Sequence, residues 1–136
     1  MITFETTVRV RYADTDKMNF VYYGKYLEYF EVGRTELIRS LGMSYKDIEE
    51  SGVMLPVSEC NIKYYRPAKY DDLLTIRTSI PEMPTVKLVT EYVIFNQKNE
   101  KIASGSVILP FVDTKTLKIT RIPEKIRALF EYQWKT

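Results

Sequence analysis

The chain has 136 residues, 45% of them apolar and 28% charged, with five Gly and six Pro, the composition of an ordered globular protein rather than a disordered one. Its 20 basic and 18 acidic residues leave a net charge of +2 with no block of one sign, so nothing reads as a nucleic-acid arm. There is no His and Cys60 is the only Cys, which excludes His/Cys zinc sites within one chain, intrachain disulfides and every Ser/His/Asp or Cys/His nucleophilic device.

A chain of this length predicts one domain over residues 1–136, burying roughly 68–70% of its unfolded surface. The first residues lack the basic and apolar regions of a signal peptide. No apolar run approaches the roughly 18 residues of a membrane span. The expectation is a cytoplasmic protein with no integral membrane segment.

Phe4, Thr6, Val8, Val10 and Tyr12 alternate with polar residues and predict a strand with one buried face. After a loop, Tyr23, Tyr26, Leu27, Phe30, Arg34, Leu37, Ile38 and Leu41 recur at three- and four-residue steps, the stripe of a long amphipathic helix. Gly42 is placed to end it. Gly33 inside it reads either as a close approach to a neighbour or as a tolerated cost of up to about 1 kcal/mol. Ser44 and Asp47 have the spacing to cap a short helix that Gly52 closes.

From Val53 the pattern becomes sheet-like. Runs around residues 57–64, 74–80, 86–95 and 102–112 are separated by turn residues, with a short strand at Leu117 and Ile119 and a helix opening at Pro123. Strand, long helix, short helix, hairpin-linked strands and a last helix make an α+β fold, an antiparallel sheet wrapped around one long helix. An edge strand or sheet face left uncovered predicts a dimer.

The chemistry-bearing stretch is the loop between the first strand and the long helix, where Asp14 and Asp16 precede a helix start. A helix start offers free backbone N–H groups and partial positive charge, so a carboxylate beside it adjoins a site for a developing oxyanion. The plain reading of either Asp is an Asx turn or a helix cap, and it suits Asp14 better. Without His, proton transfer falls to carboxylates, Tyr, Lys or backbone dipoles.

Asp14-Thr15-Asp16, then Val21 to Glu31 and Arg34-Thr35-Glu36, resembles the start of the hot-dog-fold thioesterases of the 4-hydroxybenzoyl-CoA thioesterase type, a group that includes the Tol-Pal-associated acyl-CoA thioesterases. Leu55-Pro56-Val57, Ile62-Lys63-Tyr64 and Arg66 to Asp72 follow at that family's spacing. The resemblance implies hydrolysis of an acyl-CoA or acyl-carrier-protein thioester. Asp16 is the nucleophile or general base in that reading, and the Tyr23 backbone N–H is the oxyanion donor. A base of this kind contributes about 10²–10⁴-fold and an oxyanion donor roughly 2.7–4 kcal/mol, enough for an activated thioester.

Asn19, Val21, Leu55, Pro56 and Val57 would then contact substrate at the helix start and in an acyl pocket. Lys63, Arg66 and Lys69 would meet the coenzyme A phosphates, or read plainly as solvated charges. No cofactor is implied, coenzyme A being part of the substrate, and the resemblance implies sites at the interfaces of a homodimer or homotetramer. Where the family usually has Gly and then His or an aliphatic residue, this chain has Asn19 and Phe20; Asn tolerates the left-handed conformation, and Phe20 cannot transfer a proton. Glu31 and Glu59 read as solvated or structural carboxylates, Glu31 in reach of Arg34. The alternative is a non-catalytic acyl-CoA or acyl-carrier-protein binding module. A hot-dog dehydratase would need a His, and nucleic-acid stacking would need exposed aromatics where the Tyr residues follow the core pattern.

Overall fold

Period-two burial and hairpin turns build the sheet of the computed structural model, which describes residues 1–135. In chain order the elements are β1 (Ile2–Arg9), a 3₁₀ turn (Tyr12–Asp14), α1 (Lys25–Ser40), α2 (Tyr45–Glu50), β2 (Val53–Met54) and β3 (Glu59–Tyr64). There follow β4 (Leu73–Ile80), β5 (Lys87–Phe95), β6 (Lys101–Pro110), β7 (Val112–Asp113) and α3 (Glu124–Lys135). Five strands form one antiparallel sheet in the order β1-β4-β5-β6-β3, and β2 pairs with β7 in a small second sheet. β1 and β3 are therefore the edges.

The helix α1 packs on β1, β4 and β5, and its buried stripe is Tyr26, Tyr29, Phe30, Gly33, Arg34, Leu37 and Ile38. Phe30 stacks on Tyr92 of β5 with ring centroids 4.3 Å apart, inside a core that includes Leu74, Ile76, Leu88 and Ile94. Burying each such side chain stabilises by roughly 1.5–3 kcal/mol. Gly33 marks a close approach, because a Cβ there would lie 2.7 Å from Ile76 Cγ2 and would also meet Thr78 Oγ1. The α+β architecture expected from the sequence is present.

Several local expectations shift. The first strand stops at Arg9, because Val10 exchanges backbone hydrogen bonds with Asp71 and Asp72 and the chain then turns at Tyr12–Asp14. Tyr23 precedes α1 and, like Leu27, is exposed, whereas Tyr29 is buried, so the stripe is rotated relative to the expected one. Leu117 and Ile119 are exposed and form no strand; Ile119 makes only an isolated bridge to Val112. The two expected helix punctuators hold: Gly42 has φ +93°, and Ser44 with Asp47 forms a reciprocal capping box on α2.

Candidate active site

The site begins where β1 runs out. Asp14, only 4% exposed, turns inward beneath the start of α1. Its carboxylate accepts the Arg11 N–H at 3.0 Å and the Tyr29 hydroxyl at 3.1 Å, with Lys25 Nζ at 3.3 Å. Its carbonyl accepts the Tyr22 N–H at 2.9 Å. Burial pushes its pKa up, but the Arg11 N–H, Lys25 and Tyr29 outweigh that and hold it below the usual Asp value. Asp14 thus ties the loop to the first turns of α1.

Asp16 lies in the tight turn that follows. Its N–H donates to the Phe20 carbonyl at 2.8 Å and its carbonyl accepts the Asn19 N–H at 3.0 Å. Asn19 has φ +67°, so the left-handed residue that the turn needs is supplied by Asn. Asp16 Oδ1 accepts the N–H groups of Met18 at 2.9 Å and Phe20 at 3.3 Å. One carboxylate oxygen is therefore pinned, and Oδ2 meets no protein donor among the described residues. The loop is anchored to the rest of the chain by Val21 N–H to Ala68 O at 2.8 Å.

The start of α1 faces the same space. The Tyr22 carbonyl takes the Lys25 N–H, and the Tyr23 carbonyl takes the Tyr26 N–H and the Tyr64 hydroxyl, the latter at 3.0 Å. The Tyr23 N–H, two residues before α1, donates to no acceptor among the described residues. Asp16, Phe20, Tyr23, Tyr26, Tyr64 and Arg66 border one open cleft of about 290 Å³. Tyr26 and Tyr64 meet edge to face with centroids 5.2 Å apart, giving the cleft an aromatic wall. A fixed carboxylate and a free backbone donor bordering one apolar-walled cleft are the parts that addition to a carbonyl requires.

The sequence profile of the thioesterase-like superfamily matches residues 10–130. The chain belongs to the thioesterase-like superfamily. The acyl-CoA thioester hydrolase YbgC of Escherichia coli O6:H1 is 34% identical over 128 residues, which cover 94% of this chain and 96% of YbgC. The DHNA-CoA thioesterase of Staphylococcus aureus superposes with a TM-score of 0.89 at 32% identity, over 99% of this chain and 90% of that one. A 4-hydroxybenzoyl-CoA thioesterase shares the fold at 20% identity with a TM-score of 0.81, over 93% of this chain and 97% of that one. The fold is the hot-dog fold, with α1 as the wrapped helix, and the chain is a thioester hydrolase.

Within one chain of this thioesterase the residues singled out from sequence do not all come together. Asp16, Val21, Tyr23 and Arg66 border the cleft. Asn19 shapes the turn and is exposed. Leu55 and Pro56 border a different cavity, of about 280 Å³ beside Tyr45 and Met54, and Val57 is exposed between β2 and β3. Lys69 lies in a polar recess beside the β5–β6 hairpin, and Arg66 pairs with Glu100 there at 3.4 Å. Glu31 and Glu59 are exposed. Of the two readings for Glu31, a solvated position or a pair with Arg34, the first holds, because Arg34 points into the core and donates to the Tyr45 and Tyr92 hydroxyls at 2.8 and 3.0 Å.

Two participants are absent from the candidates named from sequence: Lys25 and Tyr29, which hold Asp14. Only Tyr29 carried a signal, since it lies one helical turn from Tyr26 and Gly33. Among the described residues no three His, Cys, Asp or Glu side chains are grouped to hold a metal ion, and no helix is long and apolar enough to cross a membrane.

Proposed function

We propose that this protein is a cytoplasmic acyl-CoA thioesterase that works as a homodimer or a dimer of such dimers, with Asp16 as its reactive carboxylate and no cofactor beyond the coenzyme A of the substrate. The observation that carries the reading is the Asp16 carboxylate, held through Oδ1 by two backbone N–H groups on the same cleft as Tyr23. The acyl-CoA hydrolases among its relatives support the substrate class. Direct attack on the thioester carbonyl and deprotonation of an attacking water both use the second Asp16 oxygen. Both also put negative charge on the carbonyl oxygen, which the Tyr23 N–H and the helix start would receive. Arg66 at the rim, with Lys63 and Lys69 near it, would meet the phosphates of the carrier.

The edge strand supports a site shared between subunits. All residues of β3 except Ile62 are exposed, and an uncovered edge presents a row of unpaired backbone groups. Antiparallel pairing of β3 with its own copy sets the start of one strand beside the end of the other. Residues 55–58 of one chain then approach Tyr64, Tyr65 and Arg66 of its partner, beside the partner's Asp16. That places Leu55, Pro56 and Val57 in the acyl pocket of the other subunit, which explains why they lie apart from Asp16 within one chain.

The test is hydrolysis of short, medium, long and aromatic acyl-CoAs by wild type and Asp16→Asn. Turnover of at least one class is expected, lowered about 10²–10⁴-fold in Asp16→Asn while the unfolding midpoint stays near that of wild type. Full activity in Asp16→Asn would overturn the assignment of Asp16. Tight acyl-CoA binding without turnover across the panel would make the protein a binding module.

A further inference from the structure

The Tyr23 N–H can serve a carbonyl oxygen only if the residue that bears it is held still, and little in α1 does so. The helix begins two residues later at Lys25, the Tyr23 side chain is 66% exposed, and Gly24, which follows, is the residue type with the greatest backbone freedom. On the N-terminal side the chain is fixed. The Tyr22 N–H donates to the Asp14 carbonyl at 2.9 Å, and the Tyr22 carbonyl accepts the Lys25 N–H at 2.9 Å. On the C-terminal side the bond from the Tyr26 N–H to the Tyr23 carbonyl is long, 3.4 Å, and a bond stretched that far holds weakly. The shorter bond on that carbonyl, at 3.0 Å, comes from the Tyr64 hydroxyl.

Tyr64 reaches it from β3, an edge strand, whereas α1 packs on β1, β4 and β5. Its ring rests edge to face against buried Tyr26, so the hydroxyl is delivered from a supported side chain. Burial and the neighbouring Tyr23 raise the Tyr64 pKa above its ordinary value, which keeps the hydroxyl protonated and able to donate at neutral pH. Tyr64 and Tyr23 both border the Asp16 cleft. Resting on the acyl-thioesterase reading above, we propose that Tyr64 is a positioning residue for the reaction: its hydroxyl, bonded to the Tyr23 carbonyl, fixes the peptide after Tyr23 so that the Tyr23 N–H is presented to the thioester carbonyl oxygen. The donor is then clamped on both sides, by Asp14 and Lys25 before it and by Tyr64 after it. A donor already aligned costs no reorganisation when charge reaches the oxygen, which is where such groups gain their effect.

The test is Tyr64→Phe, which removes the hydroxyl and keeps the ring against Tyr26, assayed on whichever acyl-CoA of the panel wild type hydrolyses fastest. Loss of alignment is expected to lower kcat about ten- to a hundredfold, with kcat/KM falling equally, KM within about twofold and the unfolding midpoint near that of wild type. In protein labelled with nitrogen-15 at tyrosine, the heteronuclear NOE of the Tyr23 amide, identified by its loss in Tyr23→Phe, is expected to fall in Tyr64→Phe while buried Tyr29 and Tyr92 keep theirs. Unchanged kcat, a rise in KM alone, or a Tyr23 NOE equal to that of wild type overturns the proposal. Absence of turnover across the panel removes the thioesterase reading and the proposal together, whereas an active wild type matched by Tyr64→Phe removes the proposal alone. Full activity in Asp16→Asn beside a slow Tyr64→Phe would sink the assignment of Asp16 and leave Tyr64 standing.

Discussion

Asp14 shows how one buried carboxylate organises the loop that borders the cleft. It gathers the Arg11 N–H, the Tyr29 hydroxyl and Lys25, and its own carbonyl fixes the peptide just before Tyr23. Removing it in Asp14→Ala leaves those donors unmatched, a cost of about 1–3 kcal/mol. Its pKa in the folded protein is depressed because burial, which acts upward, is outweighed by the Arg11, Lys25 and Tyr29 hydrogen bonds. A depressed carboxylate stabilises the fold fully above its unfolded pKa, near 3.9 for Asp, and that contribution is lost as pH falls through the folded value. Thermal unfolding should therefore lose stability more steeply in wild type than in Asp14→Asn as pH falls below the unfolded Asp value of about 3.9. Parallel pH profiles for the two proteins would remove Asp14 from that role. A pair of Asp residues before a helix is legible in the sequence, and so is a turn or cap role for Asp14, but not its partner Arg11. The contact with Tyr29, 15 residues on, is set by where α1 crosses the loop, which no local pattern encodes. The Asx turn open to either Asp from the sequence is made by Asp16, whose Oδ1 accepts the Met18 N–H two residues on while the residue also borders the cleft.

At the scale of elements, the placement of the cleft depends on how closely α1 lies on the sheet. Gly33 sets that distance, since a Cβ at this position would meet Ile76 Cγ2 and Thr78 Oγ1 of β4. Ala is the better helix former by up to about 1 kcal/mol, whereas overpacking costs about 1–3 kcal/mol. Steric conflict wins because both neighbours are fully buried and have no room to retreat. Gly33→Ala is expected to lower the urea midpoint, and a raised midpoint would show that α1 and β4 have slack there. Helix periodicity makes α1 legible in the sequence, and period-two alternation does the same for β4 and β5, whose buried faces contrast with half-buried or exposed ones. The contact of Lys63 and Lys101 with the Tyr65 ring is hidden for a related reason: it forms only because β3 pairs with β6, with Tyr64 opposite Ala103. Alternation reveals that strands exist and which face is buried, but not which distant strand is the neighbour.

The whole molecule is where Leu55, Pro56 and Val57 become intelligible. They precede an exposed edge strand and lie apart from Asp16 in their own chain, so a self-sufficient protomer would leave them without a role in the cleft. In the proposed dimer, pairing of β3 with its copy across a two-fold axis would give each cleft Asp16 from one subunit and Val57 from the other. The arrangement predicts complementation between two defective chains. Asp16→Asn lacks the reactive carboxylate, and Val57→Asp places a charge where the apolar acyl group is to lie; each homodimer is expected to be nearly inactive. Co-refolding equal amounts makes half of the dimers mixed, and one cleft in each mixed dimer combines an intact Asp16 with an intact Val57. Activity should return to about a quarter of the wild-type value, as two-fold symmetry with random pairing requires. If Val57 served the cleft of its own chain, every cleft in the mixture would carry one defect or the other, and no activity would be regained on mixing.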